Sequence, residues 1–114
     1  MSRDSSSIRP YARRSGRIAR CFYVLLHWRD ARGRWREMPA ETLVLSRYGC
    51  LLACSPGMTL GDNVVLWWPK SRQGVHARVV CRAAGTTQDE MHLGLGFVDA
   101  DDFWGMEFPL DQAS

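Results

Sequence analysis

The sequence predicts an all-β chain: six antiparallel strands, arranged as a barrel or a sandwich, behind a basic leader and ahead of a short C-terminal helical turn. Three observations predict it. Apolar, β-branched and aromatic residues collect into six runs of strand length. Clusters of Gly, Pro, Asp, Asn and Ser separate those runs at short, fairly regular intervals. No run shows the 3.6-residue periodicity of a helix of normal length. At 114 residues the chain has the size of one domain.

The elements follow in chain order. Residues 1–10 are Ser-rich and polar, and are expected to be a disordered leader. Residues 11–20 are basic and suited to being ordered by a ligand. Residues 21–28 (CFYVLLHW) form the first strand, and residues 30–33 (DARG) supply a turn. A second strand runs over about 34–45, with Pro39 marking an edge position or a bulge. Residues 46–49 (SRYG) make a tight turn into a short strand, 50–54. A loop bounded by Gly57 and Gly61 precedes the strand 63–69, in which Trp67 and Trp68 must face opposite sides.

After a turn at 71–74, residues 75–84 alternate, with Val75, Ala77, Val79 and Cys81 on one face. The last strand, 92–98 (HLGLGFV), sets Leu93, Leu95 and Phe97 against Gly94 and Gly96. Those glycines predict a bend or a close backbone approach. Residues 101–108 can form one amphipathic turn with Asp101 as N-cap, and Phe103, Trp104 and Phe108 are expected to plug a barrel end. The domain is expected over 11–108, with 109–114 as a tail.

Charge is distributed unevenly. Residues 1–36 carry ten arginines against Asp4 and Asp30, whereas residues 89–114 carry seven carboxylates and no Lys or Arg. Every cationic residue but Lys70 is Arg, whose planar fork suits phosphates and guanine edges. A solvated basic tail is the plainer account of the same composition. No run of eighteen apolar residues exists, so no membrane insertion is expected. No apolar segment follows the polar, Arg-rich start, so a secretory signal is not expected and the cytoplasm is the expected location. Cys21, Cys50, Cys54 and Cys81 form no C-x-x-C pair and are expected as reduced, mostly buried thiols, with no metal.

Catalytic patterns are missing: no G-x-S-x-G, no Walker loop, no H-E-x-x-H. An enzyme is not expected. Two local patterns remain. Arg13-Arg14-Ser15-Gly16-Arg17 is an R-x-x-x-R just before the first strand, and Ser46-Arg47-Tyr48-Gly49 is an S-x-x-G between the second and third strands. Closure of a hairpin is the plainer account of the second.

Together these patterns resemble the PilZ family, whose domains carry R-x-x-x-R before the first strand and [D/N]-x-S-x-x-G after the second. Arg13 and Arg17 match the first motif; Ser46 and Gly49 match the second. Residues 56–64 (PGMTLGDNV), 77–80 (ARVV) and 94–97 (GLGF) resemble the family's later segments, so the similarity spans roughly residues 11–108. One position departs. Val44 stands where the family has Asp or Asn beside the bound guanine, and valine neither donates nor accepts a hydrogen bond.

The resemblance implies a PilZ-like barrel of the split-barrel type and a receptor for cyclic di-GMP in bacterial second-messenger signalling. It implies ligand contacts from Arg13, Arg14, Arg17, Ser46 and Gly49, with the leader closing on the nucleotide. No cofactor beyond that ligand is expected. An unidentified protein partner is expected, and nucleic acid is not. The alternative is an adaptor of the same fold that works through protein contacts without binding the nucleotide.

Overall fold

The computed structural model describes residues 16–100 and 102–109. Seven strands form: β1 (Ile18–Ala19), β2 (Tyr23–Arg29), β3 (Trp35–Ser46), β4 (Gly49–Cys54), β5 (Asn63–Trp68), β6 (Gln73–Ala84) and β7 (Met91–Phe97). All pairs are antiparallel. The order around the sheet is β3, β2, β5, β6, β7, β4, and β4 pairs back onto β3. Six strands therefore close into a barrel, which leaves no full-length open edge. The short β1 is an addition that covers the part of β3 beyond β2, at Val44 and Leu45.

Local chemistry sets the hairpins. Asp30 builds the β2–β3 turn: its carboxylate accepts the Arg32 and Arg34 N–H groups at 2.9 and 3.0 Å. Gly33 takes φ +79°, which a β-carbon would oppose. The Arg34 N–H above all, with that of Arg32 and the Arg34 and Arg36 guanidiniums, holds the Asp30 carboxyl below its usual range. Pro39 pairs with Leu25 on one side and lies just past Ala40, the last residue of β3 to meet β4. Its missing N–H therefore costs no ladder bond on the β4 side.

Period-two alternation sends one face of each strand inward. Val24, Leu26, Leu45, Leu52, Leu66 and Leu93 form the deepest part of the core. Each such side chain contributes roughly 1.5–3 kcal/mol by leaving water. Trp68 is buried and Trp67 only half-buried, as opposite faces of one strand require. At the end of the barrel where β5 and β7 finish, Phe22, Trp68, Phe97, Phe103 and Trp104 stack with centroids 4.8–6.1 Å apart. Phe108 packs against this core, so the expected aromatic plug is present.

Several expectations are corrected. The described residues contain no helix; where a helical turn was expected over 101–108, the Gly105 N–H closes a turn on the Asp102 carbonyl at 3.2 Å. Gly105 sits at φ +66°, outside the right-handed helical region, which ends any helical path there. Asp101, the expected N-cap, lies outside the described residues, as do residues 1–15 and 110–114.

Cys81 does not share a face with Val75, Ala77 and Val79. A register shift between Val79 and Cys81 inserts Val80 as an extra residue and turns Cys81 outward. Cys21 is also exposed, so only Cys50 and Cys54 are buried thiols. Desolvation pushes Cys50 up to about 12 and Cys54 up to about 11.

Candidate functional site

A second register shift, between Thr42 and Val44, builds the region that receives the leader. Thr42 is fully buried, and its hydroxyl accepts the Phe22 N–H and donates to the Arg20 carbonyl, both at 2.7 Å. Two backbone bonds flank it: Thr42 N–H to the Phe22 carbonyl at 3.0 Å, and Arg20 N–H to the Leu43 carbonyl at 3.2 Å. These bonds accommodate Cys21 as an outward kink between β1 and β2. A buried hydroxyl with both its donor and an acceptor position used carries little desolvation penalty.

Held this way, Ile18 pairs with Leu45 and Ala19 with Val44. The same register carried one residue further sets Arg17 across from Ser46. Leu45 points into the core, so Ser46 and Arg17 belong to the outward row. The Gly16 N–H is bonded to the Pro109 carbonyl, so the chain is tied down on both sides of Arg17. Arg17 itself is exposed.

The row continues around the barrel. Ser46 pairs with Gly49, Gly49 with Gly96, Gly96 with Arg78, and Arg78 with Asn63. The two central positions carry no side chain. A Cβ at Gly49 would collide with the Leu95 carbonyl, and one at Gly96 would touch Val80 Cγ1 at 3.4 Å. Close backbone approach therefore accounts for Gly49 independently of any ligand. The Gly49 carbonyl also accepts the Trp104 indole N–H at 3.4 Å, fastening the turn to the aromatic plug. The Ser46 hydroxyl reaches the Gly49 carbonyl only at 3.5 Å, a long contact that leaves it available to a stronger acceptor.

Of the residues expected at the site, Ser46 pairs with Gly49, whose backbone is buried, and the exposed Arg17 lies one residue before β1 at the same end of β3; Arg13 and Arg14 lie outside the described residues. Val44 is half-buried and pairs with Ala19 on one side and Leu51 on the other, an apolar row beside the Ser46 row. Sequence reading did not connect Gly96, Arg78 and Asn63 to this face. The glycine spacing in β7 signalled close approach, but which strand would lie beside it is a long-range property.

No protein-family model matches this chain, and no curated protein matches it in sequence. No helix among the described residues is long and apolar enough to cross a membrane.

Proposed function

We propose that this chain is a cyclic di-GMP receptor of the PilZ type, acting in the bacterial cytoplasm through a protein partner and not as an enzyme. The observation that supports the reading is the register of β1 on β3, Ile18 with Leu45 and Ala19 with Val44, which leaves the exposed Arg17 at the end of β3 that carries Ser46. A guanidinium there can engage guanine O6 and N7 with two parallel hydrogen bonds, or neutralise a phosphate. Residues 16–20 are already tied to the barrel. Closure on the ligand therefore falls to the chain before Gly16, which carries Arg13 and Arg14.

Val44 takes one polar contact away from this site. The loss of one polar contact costs on the order of 1–2 kcal/mol, up to about 30-fold in affinity. The apolar row Ala19, Val44, Leu51 supports a second reading: a PilZ-fold adaptor whose corresponding face meets a protein and binds no nucleotide.

Calorimetric titration with cyclic di-GMP separates the two, with GTP and cyclic di-AMP as controls. The receptor reading expects selective binding at micromolar affinity or tighter, abolished by Arg13→Ala/Arg17→Ala. Absence of heat up to about 100 μM ligand, where even weak binding should register, overturns it in favour of the adaptor.

A further inference from the structure

We infer that the free end of β6 is an interface with a second copy of this chain, formed by antiparallel pairing of residues 80–85 across a two-fold axis at Ala83. The contact lies away from Ser46 and Gly49 and requires no nucleotide. Ala84 pairs with Met91, which pairs in turn with Cys54, at the opposite end of β4 from Gly49.

One side of β6 is covered over only half its length. β5 pairs with it no further than Arg78, which meets Asn63. Val79 then bonds to the loop before β5: its N–H donates to the Asp62 carbonyl at 3.0 Å, and its carbonyl accepts the Gly61 N–H at 2.8 Å. Beyond that point β6 runs on to Ala84 with β7 as its one strand neighbour among the described residues. The Gly85 N–H donates to the Glu90 carbonyl at 3.1 Å, so Gly85 faces β7. Alternation along an antiparallel ladder turns the backbone groups of Ala83 to β7 and those of Arg82 and Ala84 to the open side. Counting from Val79 through the inserted Val80 gives the same result. No backbone bond among the described residues occupies Arg82 or Ala84 on that side, and residues 80–84 are all exposed.

Such an edge is completed by another strand, and this one is complementary to itself. With the axis at Ala83, Arg82 meets Ala84 of the second copy, and Ala84 meets its Arg82. Both residues turn N–H and C=O to the open side, so the two pairs exchange backbone bonds in full. Ala83 faces its own counterpart, small against small, and no like charges stand directly opposite. The length fits as well. β5 closes the edge at Arg78 and the turn ends it at Gly85, so each copy leaves free the stretch that the other fills. The exposed Asp89 in that turn then lies toward the β5–β6 border of the second copy, where Arg78 has no carboxylate partner among the described residues. Residues 80–85 contain no proline, and Arg82 is their one charge, so the usual obstacles to edge pairing are weak here. The joined edges make one sheet of β3, β4, β7 and β6 with their four counterparts. So short an edge buries less than the roughly 1,000 Å² of a stable interface, so the dimer is transient and forms at high concentration.

The test is sedimentation velocity on the full chain without nucleotide, with thermal melts to check the folding of each variant. From about 10 μM to about 1 mM the unaltered chain is expected to pass from monomer toward dimer. Ala84→Pro is expected to abolish the dimer and keep the fold, because the N–H it removes faces away from β7. Ala83→Lys and Ala83→Glu are each expected to stay monomeric, since like charges meet at the axis, and an equimolar mixture of the two is expected to dimerise again. Should Ala84→Pro fail to fold, the Ala83 charge pair, on an exposed residue, decides alone. An unaltered chain that stays monomeric to about 1 mM overturns the inference. A dimer that survives Ala84→Pro and both Ala83 variants overturns it too, because the copies then meet elsewhere. Slow hydrogen exchange at the Arg82 and Ala84 amides of a monomer equally overturns it, by placing another segment of the same chain on this edge.

Discussion

Residues of one type have different fates in this chain because the backbone around them differs. The cysteines are the clearest case. Cys50 and Cys54 sit on the inward face of β4, where burial alone raises their pKa values to about 12 and about 11. Cys21 and Cys81 face solvent because each lies at an irregularity, one beside the Thr42 kink and the other after the inserted Val80. The thiolate is the reactive form, so burial and accessibility act in the same direction. An aromatic disulfide reagent at pH 8 should titrate two thiols rapidly in the native protein and all four after denaturation. Desolvation, helped by Glu41, raises the Cys21 pKa, so Glu41→Gln should speed the Cys21 reaction, read in a Cys81→Ala background. Four equally fast thiols in the native protein would contradict the assigned burial.

At the scale of elements, the two bulges do most to place the site. The shift between Thr42 and Val44 leaves Leu43 unpaired with β4 and lets the leader join β3 as β1. The shift between Val79 and Cys81 swings Cys81 over Gly94, where an added Cβ would run into the Cys81 sulfur. Gly94 is thus required by its neighbour and not by its own backbone angles. Gly94→Ala should destabilise the barrel by about 1–3 kcal/mol, as overpacking typically does. Cys81→Ala in the same chain should recover much of that loss, because the obstructing atom is gone. Urea denaturation of both single variants and the double variant measures the coupling. Strict additivity would mean that the clash is relieved elsewhere.

The whole molecule depends on how its ends are closed. Trp104 is 3% exposed, stacks within the five-ring cluster and donates its indole N–H to Gly49. It therefore links the last described segment, the barrel end and the turn that carries Ser46. Trp104→Ala should cost about 3–5 kcal/mol, a large share of the 5–15 kcal/mol typical of a natural domain. Trp35, 64% exposed on the hairpin and lying against the Arg29 guanidinium at 5.6 Å, is the contrast. Trp35→Ala should shift stability by no more than about 0.5 kcal/mol. Equal losses from the two substitutions, read from chemical denaturation, would show that the cluster is not what closes the barrel.

The sequence by itself determined the all-β class, the six barrel strands and most of the inward faces. Alternation and turn chemistry are local, and they acted as expected at Asp30, Gly33 and the Trp67–Trp68 pair. Strand boundaries came within two residues of the observed ones for the same reason. The motif residues Arg17, Ser46 and Gly49 were legible as candidates, because types and spacing can be read along a chain. Tertiary structure alone decided the inserted residues at Leu43 and Val80, the outward turn of Cys81, the two-residue β1 and the row from Ser46 to Asn63. Each depends on which strands lie side by side and in what register. That is settled by closing the barrel over a common core, through pairings such as Gly49 with Gly96 that join residues distant in sequence.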